Sequence, residues 1–169
     1  MAISSYLRSL RTRIGHELVL LPAVSVMIQD GKGHLLLVRN RDDGLWQTVG
    51  GGMDPNEQPA DAAVREAFEE TGLLVEPTRL IGVYGGPDFC LTYPNRDVVS
   101  YVGISFAARV VGGTERPCDD EVDRLGWFER DAALRLLMAA HTRRLIVDAF
   151  EDTAAPVFSS PAWRPGQPG

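Results

Sequence analysis

Apolar positions along the chain recur with two periods. Tyr6, Leu7, Leu10 and Ile14 fall at helical spacing with arginines between them, and Gly15 follows; this predicts a short amphipathic helix from Tyr6 to Ile14. Ala23 to Ile28 and His34 to Val38 are β-branched or leucine-rich runs joined by Gln29-Asp30-Gly31-Lys32-Gly33, the pattern of a hairpin. The two glycines there are turn residues and not a dinucleotide fingerprint, which needs a third glycine and a helix after it. Asn40 to Gly44 is a polar loop, and Trp46 to Val49 is a short extended piece running into Gly50-Gly51-Gly52. Three consecutive glycines signal backbone conformations or close approaches that side chains would obstruct.

The second half continues the alternation. Pro59 to Thr71 reads as a helix, with Pro59 in its first turn, Asp61 at the positive end of the dipole and Gly72 just past its end. Arg79 to Tyr84 and Val98 to Val111 alternate as strands around the loop Gly85 to Arg96, and Val122 to Phe128 gives a further strand. A second helix is predicted over Asp131 to Phe150, with Leu134, Leu137, Leu145 and Ala149 facing inward. The tail from Thr153 carries Pro156, Pro161, Pro165 and Pro168, and Phe158 and Trp163 are its expected anchors to a surface. We therefore expect a helical lead-in over 1–17, one domain over 18–152 and a proline-rich tail over 153–169, with no internal repeat.

Composition changes this picture by exclusion. At 169 residues, 44% hydrophobic and 24% charged, the chain is an ordinary globular one and can bury about 70% of its unfolded surface in a single core. A net charge of −6 gives no positive field to draw it to duplex nucleic acid or an anionic membrane. Cys90 and Cys118 have no C-x-x-C spacing, so a reducing cytoplasm is expected. No apolar run reaches the roughly 18 residues of a membrane span, and the arginine-bearing start lacks a cleavage pattern.

The helix Pro59 to Thr71 carries candidate chemistry. Ala60, Val64, Ala67, Phe68 and Thr71 form an apolar stripe, which places Glu66, Glu69 and Glu70 on the opposite face. Like charges at such spacing cost about 0.2–0.5 kcal/mol per pair. Arg65 can neutralise only one of them, Glu69 at i+4, or instead reach back to Glu57. A hard divalent cation offsets all three, and Mg²⁺ takes oxygen ligands while keeping waters and substrate phosphates. The plain alternative is a solvated glutamate face. Against it stands the glycine loop directly upstream, whose backbone can approach a metal or a phosphate.

The spacing is Gly51, five residues, Glu57, seven residues, Arg65-Glu66-Ala67, one residue, Glu69-Glu70, one residue, Gly72-Leu73. This resembles the Nudix box, the signature of hydrolases that cleave a nucleoside diphosphate linked to another moiety, and every fixed position matches. The resemblance implies an α/β Nudix fold, an α/β/α sandwich around a mixed, curved β-sheet. It implies Mg²⁺, with Mn²⁺ as a possible substitute, bound by Glu66, Glu69, Glu70 and the backbone carbonyl of Gly50, with Arg65 and Glu57 holding the carboxylates in place. The general base is either Glu66 or a carboxylate of the Asp119-Asp120-Glu121 cluster, Glu121 by preference; that cluster also reads as a solvated loop. Two departures, Val49 where proline is common and Ala67 where a bulkier aliphatic is usual, remove no ligand.

The implied substrate is a nucleoside diphosphate derivative, ADP-ribose-like or a nucleoside triphosphate. The segment Tyr84 to Arg96 is a candidate substrate lip, with aromatic faces for a base and Arg96 for phosphate; equally, its aromatics could simply cover a sheet edge. His16, His34 and His141 show no metal spacing, and Cys90 reads as packed. The alternative function is a Nudix-fold module that binds nucleotide without hydrolysis; an isomerase on the same fold lacks an identifiable cysteine and glutamate context. The amphipathic start and the proline-rich tail together suggest a homodimer.

Overall fold

The computed structural model describes residues 4–117, 122–151, 153–162 and 164–165. Ser4 accepts the Leu7 amide through its hydroxyl at 3.2 Å and opens helix α1 (Ser5–Ile14), which ends at Gly15 with φ +60. Strands β1 (Val19–Gln29) and β2 (Leu35–Asn40) form the predicted hairpin, closed at the Gln29↔Leu35 pair. In the turn, the Asp30 carboxylate accepts the amides of Lys32 and His34 at 2.8 and 2.9 Å. Then come β3 (Trp46–Gln47), β4 (Val49–Gly52), α2 (Pro59–Thr71), β5 (Leu73–Tyr84), a single 3-10 turn (Pro87–Phe89), β6 (Cys90–Thr92), β7 (Val98–Gly113), β8 (Val122–Phe128), α3 (Arg130–Ala133) and α4 (Ala140–Phe150).

Among the described residues these strands make one eight-stranded mixed sheet. Its path is β3-β2-β1-β7-β5, with β4 also paired to β1, β6 to β7 and β8 to β2. The β1–β7 pair is parallel over its whole length, from Val19↔Val99 to Gln29↔Arg109, and the others are antiparallel. Side chains alternate across the sheet, so β1 feeds two cores. Val24, Val26 and Ile28 pack with Leu36, Val38 and Val49 under Ala62, Ala63 and Ala67 of α2. Met27 packs on the other face with Leu35, Leu37, Ile81 and Tyr84 against Ala133 of α3 and Leu145, Ile146 and Ala149 of α4. Because both faces are covered, Leu35 to Val38 is buried without interruption. The result is an α/β/α sandwich around a mixed sheet.

The structure corrects several expectations. The predicted helix over Asp131 to Phe150 is two helices, and Leu137 between them is 72% exposed rather than inward. The interruption has a cause in hydrogen bonding: the Leu137 carbonyl accepts the Trp46 amide at 2.9 Å and the Leu134 carbonyl accepts Arg143 Nη1 at 2.5 Å. The tail is held by Val157, whose amide donates to Ile81 and whose carbonyl accepts the Val83 amide, while Phe158 is 74% exposed. Trp163 lies outside the described residues. Cys90, expected to be packed, is exposed. Helix α1 has no buried residue and is fastened by polar contacts: the Arg11 guanidinium donates to the carbonyls of Gly15, Glu17 and Val98. Among the described residues no helix is long and apolar enough to cross a membrane.

Candidate active site

Strand β4 lies antiparallel on β1, pairing Gly50 with Ser25 and Gly51 with Val24. Gly50 has φ +144, and a Cβ there would collide with the Val24 carbonyl oxygen; glycine is required for the strands to close. A Cβ on Gly51 would lie 2.6 Å from Glu66 Oε1, so this glycine leaves the space that the Glu66 carboxylate fills. Gly52 faces open space and contributes its carbonyl, which accepts Arg65 Nη2 at 3.0 Å. The glycine run is therefore a seat for the next helix.

Helix α2 has the predicted ends, Pro59 at its start and Gly72 in the left-handed region at φ 70 and ψ 2. Its orientation differs from the predicted one. Ala60 and Phe68, assigned to the apolar stripe, are exposed, whereas Ala62, Ala63, Ala67, Thr71 and Glu70 are buried. The helix is thus rotated so that Glu70, at 4% exposure, points under the glycine loop and accepts the Gly50 amide at 3.1 Å. Small alanines permit close approach, and the charge–dipole contact with a backbone amide favours the rotation. The three carboxylates consequently do not share one solvated face: the Glu66 side chain is 12% exposed and that of Glu69 58%.

Arg65 does more than its sequence position suggested. Nε and Nη2 grip Glu57 at 2.8 and 2.9 Å, Nη1 reaches Glu66 at 2.8 Å and Glu69 at 3.1 Å, and Nη2 also donates to Gly52. All five guanidinium N–H donors are used, so one cation binds three carboxylates rather than one. Hydrogen bonds from Arg65 hold the Glu57 carboxyl below the usual glutamate range, and the same bonds to Glu57, with burial opposing and the bond to Glu66 adding, raise the guanidinium further above its ordinary value. Glu57 also accepts the Asp54 amide at 3.0 Å, closing the loop between β4 and α2.

The donor set offered to a metal consists of oxygen alone: the carboxylates of Glu66, Glu69 and Glu70 beside the Gly50 backbone. That chemistry fits a hard divalent cation. Among the described residues no three histidine, cysteine, aspartate or glutamate side chains are gathered into a preformed cluster; Glu69 is turned toward Arg65.

The glycine loop also forms one wall of a cleft with about 770 Å³ of open space. Ala23, Ser25 and Gly103 form the sheet side, Phe89, Leu91 and Tyr93 the lip, and His141, Thr142 and Leu145 of α4 the opposite wall. Tyr93 and Tyr101 share a hydrogen bond at 2.7 Å between their hydroxyls, and burial raises the pKa of both. The His141 ring lies 5.8 Å from that of Phe89, and burial lowers its pKa. Phe89, Leu91 and Tyr93 of the candidate lip segment thus line the cleft, whereas Arg96 does not; it is exposed in the turn before β7 with φ 73. Asp97, next to it, fixes this turn: it pairs with His16 Nδ1 at 2.7 Å and accepts Asn95 Nδ2 at 2.9 Å. Glu121, the preferred general base, and its neighbours Asp119 and Asp120 lie outside the described residues. Tyr101, His141 and Thr142 were not singled out from the sequence as site residues, since each sits in an element read for its core-facing neighbours.

The family model described as NUDIX domain matches residues 19–150. A MutT-like protein of Streptomyces ambofaciens is 33% identical over 127 residues, covering 75% of this chain and 75% of that protein. A putative 8-oxo-dGTP diphosphatase of Bacillus subtilis is 42% identical over 64 residues; that match covers 38% of this chain and spans 43% of the relative's length. Among solved structures, the MutT protein from Methanosarcina mazei Go1 superposes with a TM-score of 0.66 at 23% identity, covering 79% of this chain and 95% of that one, a likeness of fold.

Proposed function

The chain belongs to the Nudix hydrolase family, and on that premise we propose that it cleaves the diphosphate linkage of a nucleoside diphosphate derivative. In this reading the nucleoside lies in the cleft and the diphosphate over the glycine loop. Membership makes it a hydrolase acting on pyrophosphate bonds; the substrate class and the metal are our inference. One observation carries it: Gly50 and Gly51 line the cleft and, on their other side, seat Glu70 and Glu66. The carboxylate helix and the cleft therefore meet at one strand.

The chain's own groups divide the work. Phe89, Tyr93 and Tyr101 offer ring faces to a base. Glu66, Glu69, Glu70 and the Gly50 carbonyl would hold a divalent cation, Mg²⁺ with Mn²⁺ as substitute. When bound, such an ion neutralises charge on a diphosphate and lowers the pKa of a coordinated water. Arg65 and Glu57 fix the helix carboxylates against the loop, so that little reorganisation is needed at the moment of reaction. Glu66, seated against Gly51, is a candidate to take the proton of the attacking water; Glu121 remains the other. Nucleoside triphosphates are the first substrates to try, in keeping with the name of the Bacillus relative, and ADP-ribose-like compounds the second.

The test is a panel of nucleoside triphosphates and nucleotide sugars, incubated with Mg²⁺ or Mn²⁺ and followed by detection of phosphate, pyrophosphate and nucleotide products. We expect turnover of at least one class and none in the presence of a chelator. Tight nucleotide binding without any turnover across the panel would refute the hydrolytic reading and leave a binding module.

A further inference from the structure

The chemistry at the glycine loop does not use the opposite wall of the cleft, where α4 begins. Its N-cap is Ala139, whose side chain cannot accept a hydrogen bond, and among the described residues no side chain caps the helix. The first helical bond runs from the Arg143 amide to the Ala139 carbonyl at 3.1 Å, so the amides of Ala140, His141 and Thr142 have no acceptor within the helix. His141 and Thr142 both line the cleft. Thr142 is only 3% exposed, yet among the described residues its hydroxyl has no hydrogen-bond partner. The hydroxyl is not among the fully buried side-chain atoms that lack a partner, which among the described residues are Arg11 Nε and Ser105 Oγ, so it stays accessible on a residue that lines the cleft. An uncapped helix start and an accessible, unpartnered hydroxyl on an otherwise buried side chain thus meet at the same cavity.

We propose that the start of α4 is a subsite for the carbonyl edge of a nucleobase, with the amides of the first turn and the Thr142 hydroxyl donating to an exocyclic oxygen. The proposal rests on the reading that the cleft takes a nucleoside, and it narrows that reading to bases bearing a keto group. A neutral carbonyl fits better than a phosphate. Among the described residues no lysine or arginine lines the cleft, and burial disfavours the charged form of His141. Ala23, Leu91 and Leu145 around it are apolar and match the face of a flat ring. Adenine presents an amino donor where hypoxanthine and guanine present an oxygen. The Thr142 hydroxyl can turn to accept, but backbone amides cannot, so adenine leaves donors opposed.

Inosine and adenosine triphosphates differ in the six-position oxygen against an amino group, so they form the matched pair for the test. The wild-type protein should favour inosine triphosphate in kcat/KM by at least about tenfold, the size of effect expected when one sheltered polar group is left unpaired. Thr142→Val, which keeps the side-chain volume, should reduce that preference roughly three- to tenfold, and Thr142→Ser should restore most of it. Calorimetric binding of inosine and adenosine monophosphates to the same three proteins gives the same comparison without turnover. Equal kcat/KM values for the pair in the wild type, or an unchanged ratio in a Thr142→Val protein with wild-type melting, would overturn the subsite. Should no nucleotide be hydrolysed, the hydrolytic reading fails by itself, and the monophosphate titrations still decide the subsite: equal affinities refute it. Inorganic phosphate that displaces inosine from the wild type but not from Thr142→Val would overturn the carbonyl assignment in favour of an anion.

Discussion

Replacing Arg65 tests whether one guanidinium organises the carboxylate helix. The side chain is 28% exposed, and its closest partners, Glu57 and Glu66, are 14% and 12% exposed. Hydrogen bonds to charged groups contribute about 1.5–3 kcal/mol each when well sheltered, but the Glu69 contact, at 58% exposure on the glutamate side, is screened and adds little. Lysine keeps the charge and at most three donors without the planar fork, so Arg65→Lys should cost about 1–2 kcal/mol by loss of the two-pronged grip on Glu57. Arg65→Met leaves Glu57 and Glu66 half-sheltered without this cation and should cost about 3 kcal/mol. For a chain of this size each kcal/mol moves the melting point by about 2–4 °C. Urea unfolding at neutral pH measures both variants. The acid limb supplies a second readout. Because Arg65 depresses the folded-state pKa of Glu57, this stabilisation is present above the ordinary glutamate pKa and disappears as pH falls through the lower folded value. Wild-type stability should therefore fall more steeply between about pH 5 and 3 than that of Arg65→Met. An Arg65→Met protein within about 0.5 kcal/mol of wild type, with the same acid slope, would show that the network organises nothing.

Four other substitutions probe the seat, the chemistry and the lip turn. Gly51→Ala puts a methyl 2.6 Å from the end of the Glu66 side chain, which can swing away; hydrolysis should fall about a hundredfold while urea unfolding changes little, and retained activity would show that the seat is dispensable. Gly50→Ala is the control: its methyl meets the fixed Val24 backbone at φ +144, so loss of soluble folded protein is expected, and a normally stable variant would contradict the geometry. Glu70→Gln keeps an oxygen for the Gly50 amide and should melt near wild type without metal, yet lose hydrolysis. Added Mg²⁺ should raise the wild-type melting point more than the variant's; an active Glu70→Gln protein would remove Glu70 from the proposed metal site. Asp97→Asn removes a carboxyl that His16 holds below the usual aspartate range. Stability that is present above the ordinary aspartate pKa and lost as pH falls should then be missing, seen as a flatter acid limb in thermal melts; an unaltered limb would deny the lip turn its anchor.

Much of the fold was legible because local signals agreed. Pro59, Asp61 and Gly72 mark the ends of α2, and both ends stand where they were expected. The β1–β2 hairpin was equally plain, since its turn chemistry and its apolar runs point to one register. The orientation of α2 was not legible, for a physical reason. A helical projection ranks side chains by polarity, and Glu70 ranks as solvent-facing, but a carboxylate can be buried when a backbone amide meets it. Gly50 supplies that amide from a strand twenty residues earlier. The same blindness led to the reading of Arg65 as a partner for one glutamate: i+4 spacing identifies Glu69, whereas the grip on Glu57 depends on how the loop from Gly52 to Gln58 folds back.

The break between α3 and α4 shows how the hidden part of the site arises. Leu134, Leu137, Leu145 and Ala149 keep helical spacing across the break, so periodicity alone extends one helix through it. In the fold, the carbonyls of Leu134 and Leu137 serve Arg143 and Trp46 instead of the helical ladder. A helix that restarts must expose a fresh set of amides, and here the restart falls beside the aromatic lip. Continuous helix through Ala139 would have consumed those amides and closed the wall. The tertiary bond from Trp46 to Leu137 thus does two things at once: it ties β3 to the helical layer, and it leaves His141 and Thr142 at a helix start facing the cleft. Substituting Trp46 for its ring would leave its amide, and hence this arrangement, in place; Trp46→Pro, which removes the donor, is the change that couples β3 directly to the cleft wall.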